Sequence, residues 1–124
     1  MKANEIRLSN WFIGYDDKPF KWEIEHFANL ATVYPDEIIK APIPLTEEIL
    51  LKAGFEKHRK GYSLNVGGES FDYYIKDKFV IWDHKHRGYS LESIRSQGFI
   101  FYKYLHQLQN LFFALTGEEI KIEL

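Results

Sequence analysis

The stretch "SFDYYIKDKFVIWDH", residues 70–84, decides the fold class, because its apolar residues alternate on both sides of a short polar break, Asp77-Lys78. Two β-type runs joined by two turn-forming residues read as an antiparallel hairpin. Taking Asp77 and Lys78 as the turn sets Ile75 opposite Val80, Tyr73 opposite Trp82 and Phe71 opposite His84, and this face is expected to meet the core. The other face pairs Tyr74 with Ile81 and Asp72 with Asp83. Two carboxylates directly opposed are unfavourable, so three outcomes are open: a slipped register, a cation close by, or a frayed, solvated strand end.

Upstream, "YSLNV" (62–66) extends the hairpin to a three-stranded meander, with the glycine pair of "NVGGES" (65–70) as its turn. Before it, "PLTEEILLKAGF" (44–55) carries its own start and stop signals. Thr46 is an N-cap, Glu47 and Glu48 suit the positive end of the dipole, and Gly54 suits the left-handed position after a helix of roughly two turns. Towards the N-terminus, Ile6 to Ile13 alternate and run into "GYDDKP", and "FKWEIEHF" (20–27) alternates again with Phe20, Trp22 and Ile24 on one face; together they read as a hairpin. Three prolines in residues 30–45 favour extended or loop backbone.

Downstream, "YLHQLQNLFFALTG" (104–117) places Tyr104, Leu105, Leu108, Leu111, Phe112 and Leu115 on one helical arc, which is expected to pack on the sheet. "EEIKIEL" (118–124) then alternates as a closing strand. The expected architecture is α+β: a single domain with an N-terminal β-hairpin or small barrel-like region over 1–45. A short helix, an antiparallel meander, a helix packed on the sheet and a closing strand follow over 46–124.

With 124 residues, 45% hydrophobic and 17% aromatic, the chain has material for one well-filled core. A formal charge of -2 confines any polyanion binding to a local patch and disfavours extended duplex nucleic acid. The absence of cysteine excludes disulfides, thiolate metal sites and a cysteine nucleophile. There is no signal-peptide run and no apolar stretch approaching ~18 residues, so a soluble, intracellular protein without a membrane partner is expected.

Chemistry-bearing motifs are few. "NVGGES" has neither Walker nor G-x-G-x-x-G spacing, and no G-x-S-x-G elbow occurs. His84 and His86, two apart, would share a face if they lay on a strand, and Asp83, Asp72 or Glu69 could assist a metal there. H-x-H fixes no third ligand, however, and no cofactor is expected. Lys57, Arg59 and Lys60 read as a basic loop that the meander would bring to the same sheet end as Lys76 and Lys78, a candidate site for an anion or an acidic protein surface. Tyr62 and Tyr74 could add stacking surface for a base there. Phe113 falls outside the helical arc, beside His106 and Gln109. Either the N-terminal hairpin covers it, or the three form an aromatic anchor flanked by polar groups.

The echo between "KHRKGYSL" (57–64) and "HKHRGYSL" (84–91) is expected to place two separate surfaces at opposite ends of the sheet rather than one composite site.

The stretches "MKANEIRLSNW", "PIPLTEEILLKAGFEK" and "LHQLQNLFFALTGEEI" resemble a group of small uncharacterised proteins carried by phages, prophages and mobile elements of anaerobic gut bacteria. The resemblance covers both ends and the middle of the chain. It implies an accessory, non-enzymatic role in the cytoplasm of a bacterial host cell, with binding to a host or defence macromolecule as the leading expectation, and it assigns no catalytic residue. A binder of a small anionic ligand such as a nucleotide signal, and a metal-dependent hydrolase centred on His84 and His86, are the alternatives. The aromatic richness also leaves room for a homodimer.

Overall fold

The computed structural model describes residues 1–61, 70–91 and 101–124. The side chains of Lys60, Phe71 and His86 lie outside that description, as do "YSLNV", Tyr62, Glu69 and the glycines of "NVGGES". The described residues form three α-helices and seven strands in two antiparallel sheets, an α+β arrangement. Two compact units share the chain: Met1–Pro44 with Tyr104–Ile120 and Leu124, and Leu45–Lys103 with Lys121–Glu123. The break after Pro44 falls beside the expected boundary, but the C-terminal helix belongs to the N-terminal unit.

In the first unit, β1 (Trp11–Ile13) is the middle strand, flanked by β2 (Pro19–Lys21) and β3 (Ala41–Pro42). The β1–β2 hairpin turns at Asp17, whose φ of 63° is of the kind aspartate tolerates, with Gly14 N–H donating to the Lys18 carbonyl at 2.9 Å. Phe12 is fully buried and meets the buried Trp22 edge-on at 6.1 Å; Ile6 and Ile39 complete this core. "FKWEIEHF" is only half a strand. From Ile24 to Asn29 it forms helix α1, so Ile24 is exposed rather than sharing a face with Phe20 and Trp22. His26 explains the switch: its Nδ1 accepts the Glu23 N–H at 2.9 Å, capping a helix at the point where alternation suggested the strand would continue.

In the second unit, the helix expected in "PLTEEILLKAGF" is α2 (Glu47–Lys52). Thr46 Oγ1 accepts the Ile49 N–H at 3.2 Å, and Gly54 follows the helix with a φ of 92°. The sheet is a meander of four strands, β4 (Glu56–Gly61), β5 (Ser70–Lys76), β6 (Phe79–Asp83) and β7 (Tyr89–Leu91), in sequence order. Its β5–β6 register is the expected one, Ile75 opposite Val80 and Tyr73 opposite Trp82, with Asp77 turning at a φ of 54°.

The buried face, however, is the other one. Tyr74, Phe79, Ile81, Tyr89 and Leu91 are buried, while Tyr73, Ile75, Val80 and Trp82 are only half-buried. Both faces are apolar, so alternation could not choose between them. The choice follows from the partner: Phe55, just beyond α2, packs on Phe79 with ring centroids 6.2 Å apart.

Helix α3 (Leu105–Thr116) is anchored at its start by Leu105 N–H donating to the Ile43 carbonyl at 2.8 Å and ends at Gly117 with a φ of 74°. It packs against β1. Leu105, Leu108 and Phe112 of the expected arc are buried, but Leu115 is exposed. The expected closing strand is absent: residues 118–124 join neither sheet, although Ile120 and Ile122 are buried. Alternation there records side-chain burial without a ladder. No helix among the described residues is long and apolar enough to cross a membrane.

Candidate functional site

The sequence singled out His106, Gln109 and Phe113 as one polar-flanked stripe on α3. The structure separates them. His106 and Gln109 are buried beneath the N-terminal segment, 5% and 1% exposed, whereas Phe113 remains 39% exposed. The hairpin expected to cover Phe113 instead covers its neighbours.

Gln109 is a structural clamp. Its Oε1 accepts the Trp11 N–H at 3.0 Å and its Nε2 donates to the Ser9 carbonyl at 2.9 Å, satisfying backbone groups at the entry to β1. Beside it, Asn10, fully buried, donates to Asn110 Oδ1 at 2.9 Å, and its own Oδ1 accepts the Arg7 N–H at 2.7 Å. Asn110 in turn donates to the Glu5 carbonyl at 2.9 Å. Buried amides are tolerated here because each finds partners.

Arg7 emerges from this network. Its Nη1 donates to Asn110 Oδ1 at 3.0 Å, Nη2 pairs with Glu119, and the guanidinium carbon lies 4.1 Å from the centroid of the Phe113 ring. The result is an aromatic ring and a guanidinium held in one geometry at the protein surface. Arginine and aromatic residues in such arrangements dominate the energetics of many protein interfaces. The sequence reading missed Arg7 because the contact spans more than a hundred residues. The signal that was present is the polar Asn10, Gln109 and Asn110 embedded in the apolar runs "SNWF" and "LQNLFF".

His106 lines a cavity of about 260 Å³ together with Glu5, Lys40, Pro42 and Tyr104. Its ring packs between Phe12, at 5.1 Å, and Tyr104, parallel within 17° at 6.2 Å. Burial pushes its pKa below 6.5, opposed by the Glu5 carboxylate, so the ring is neutral at pH 7. Nδ1 is sealed from solvent without a hydrogen-bond partner.

The basic segment of the second unit is not a loop. Lys57, Arg59 and Lys60 lie in edge strand β4, paired with β5 from Glu56 opposite Ile75 to Gly61 opposite Ser70. Strand rise puts Lys60, opposite Phe71, about 17 Å along β5 from Lys76, so the five cations Lys57, Arg59, Lys60, Lys76 and Lys78 do not converge. Two of them answer the problem of Asp72. Arg59 Nε donates to Asp72 Oδ1 at 2.9 Å, Lys57 Nζ lies 3.7 Å from Asp72 Oδ2, and Lys57 also pairs with Glu47 of α2. Two of the three outcomes open for Asp72 are met together, since a cation lies close by and the β5–β6 register ends at Tyr73 opposite Trp82, short of the Asp72–Asp83 pair. The Arg59 hydrogen bond holds the Asp72 carboxyl below its usual range. Tyr74 is no stacking platform: it is 1% exposed and burial pushes its pKa up to about 12.

His84 and His86 do not share a strand face. β6 ends at Asp83, residues 85–87 form a 3-10 turn, and Lys85 has a φ of 58°. His84 Nε2 is 2.7 Å from Ser90 Oγ. Among the described residues, no group of three or more histidine, cysteine, aspartate or glutamate side chains is placed to hold a metal ion. The two echoing segments lie on opposite edges of the four-stranded sheet, the first on β4 and the second reaching β7, so they are separated laterally rather than end to end.

No protein-family model, curated protein or solved structure matches the chain.

Proposed function

We propose that this is a binding protein of the phage or mobile-element accessory type, engaging a host or defence protein through the Arg7–Phe113 edge of helix α3. One observation carries the proposal: a half-exposed phenylalanine on a fixed helix with a guanidinium held 4.1 Å from its centroid. Both side chains are already positioned, Phe113 by α3 and Arg7 by Asn110 and Glu119, so little rotamer freedom is lost on binding. The partner that fits presents an apolar pocket able to take an aromatic ring.

The basic strand has weaker support as a binding site, whether for an acidic protein or a small anion. Lys57 and Arg59 are committed to Glu47 and Asp72, and an incoming anion must displace those carboxylates.

Affinity capture from host lysate tests the proposal with three proteins: wild type, Phe113→Gln, and the double variant Lys57→Gln/Arg59→Gln. Glutamine retains helix propensity at 113. A partner recovered with wild type and the double variant, and lost with Phe113→Gln at unchanged melting temperature, is the expected result. Equal recovery by all three proteins eliminates the Arg7–Phe113 edge.

A further inference from the structure

The cavity beside His106 lies wholly within the first unit and is not part of the Arg7–Phe113 edge. Its volume of about 260 Å³ corresponds to roughly nine water-sized volumes, the scale of one or two small rings. Ile39, Ala41 and Pro42 supply an apolar floor, and Tyr104 supplies an aromatic wall.

The charges around it are mostly cancelled. Lys40 pairs with Asp17, and the Met1 ammonium is 2.9 Å from Asp36 Oδ1. Glu5 is the exception, since it joins no ion pair among the described residues. A free anion therefore meets an unneutralised carboxylate, which disfavours phosphate or a carboxylate ligand at this site.

His106 supplies the second polar group. It is 95% buried, being 5% exposed, and its sealed Nδ1 has no hydrogen-bond partner among the described residues. A buried N–H without a partner costs more than a bare acceptor in the same place, so the neutral ring keeps its proton on Nε2 and leaves the sealed Nδ1 unprotonated. Nε2–H is then a donor awaiting an acceptor. Glu5, close enough to influence the imidazole electrostatically, accepts the Lys2 N–H through Oε2 at 3.4 Å and keeps Oε1 open to a further donor.

We propose that this cavity binds a small, neutral aminoheterocycle of the adenine or cytosine type. Its ring nitrogen accepts from His106 Nε2–H, and its adjacent exocyclic amine donates to the Glu5 carboxylate. An edge with acceptor beside donor satisfies both groups, and the flat ring rests on the Ile39–Pro42 floor beside Tyr104. Uracil and hypoxanthine lack the exocyclic amine and offer Glu5 Oε1 no donor, which weakens them relative to cytosine and adenine.

Calorimetric titration of the full chain with adenine, cytosine, uracil and hypoxanthine tests this, with adenosine and its 5′-monophosphate as further arms. His106 ¹⁵N shifts are followed in parallel by NMR. Adenine or cytosine is expected to bind at least about tenfold more tightly than its amine-free counterpart, to move the His106 ring nitrogens, and to lose about tenfold in Glu5→Gln, the usual scale for one hydrogen bond to a charged group. Phe113→Gln is expected to bind the heterocycle as wild type does, which separates this site from the protein-binding edge. Absence of submillimolar binding by either amine, unmoved His106 nitrogens at saturation, or unchanged affinity in Glu5→Gln overturns the proposal. Stronger binding of the monophosphate that survives Glu5→Gln overturns it in favour of an anion site.

Discussion

The amide network of the first unit and the charged edge strand of the second use polar residues in opposite ways. In the first, uncharged amides are buried: Asn10, Gln109 and the partly buried Asn110 bind backbone groups and one another. In the second, the polar pairs are charged and lie along an edge strand, where Arg59 and Lys57 offset Asp72 and Glu47 beside solvent. Buried amides are costly to disturb because each stranded partner loses water as well as protein, whereas exposed ion pairs contribute little. The amide network can therefore hold Arg7 and Phe113 in one geometry, and charges on an edge strand such as β4 disfavour its pairing with other chains.

Gln109→Ala is the strongest test of that contrast. It leaves the Trp11 N–H and the Ser9 carbonyl without their partners in the interior, and a loss of roughly 3–5 kcal/mol is expected in urea unfolding. If Gln109→Ala unfolds at the wild-type midpoint, the amide network is not what holds the N-terminal segment to α3. Next in size is Gly88→Ala in the second unit. Gly88 has φ 109° and ψ -154°, and an added Cβ would lie 2.8 Å from the Tyr102 carbonyl oxygen, so a loss of about 2–3 kcal/mol is expected. This would show that the second unit depends on backbone geometry more than on its charges.

The sequence made these two kinds of feature unequally visible. The Thr46 cap, the Gly54 stop and the Asp77-Lys78 turn were legible because a residue and its near neighbours determine them. The β5–β6 register followed from the turn. The buried sheet face did not, since Tyr74 and Ile81 are no more apolar than Tyr73 and Trp82, and the choice depends on Phe55 arriving from α2. Helix α1 was missed because a histidine cap, His26 on Glu23, is not among the usual capping signals. The basic strand reads as a loop in the sequence because lysine and arginine runs suggest solvent, but Asp72 opposite Arg59 gives them a cross-strand partner. The Arg7–Phe113 contact and the cavity were invisible, because both assemble residues about a hundred positions apart.

Smaller effects refine the comparison. Thr46→Ala removes one cap and should lower stability by about 1 kcal/mol, measurable as a reduced urea midpoint at unchanged slope. Acidification probes the buried His106 and the half-buried His84. His106 and His84 both have folded pKa values pushed below 6.5 by burial. As pH falls through 6.5 the unfolded chain takes up protons that the folded chain refuses, so stability declines from about pH 7 downward. His106→Gln should make that decline shallower, and an unaltered pH profile would mean that His106 is not held neutral. Least of all is expected from Arg59→Gln, whose midpoint should stay close to wild type at neutral pH despite the loss of the hydrogen bond to Asp72.

The central claim is that recognition belongs to the first unit and that the charged strand of the second is structural. Photo-crosslinking in host lysate tests it most directly, with a benzophenone amino acid placed in turn at position 113 and at the exposed positions 51 and 59. The account predicts one discrete adduct from position 113, competed by unlabelled wild type but not by Phe113→Gln, and none from 51 or 59. An adduct from position 59 with none from 113 would contradict it.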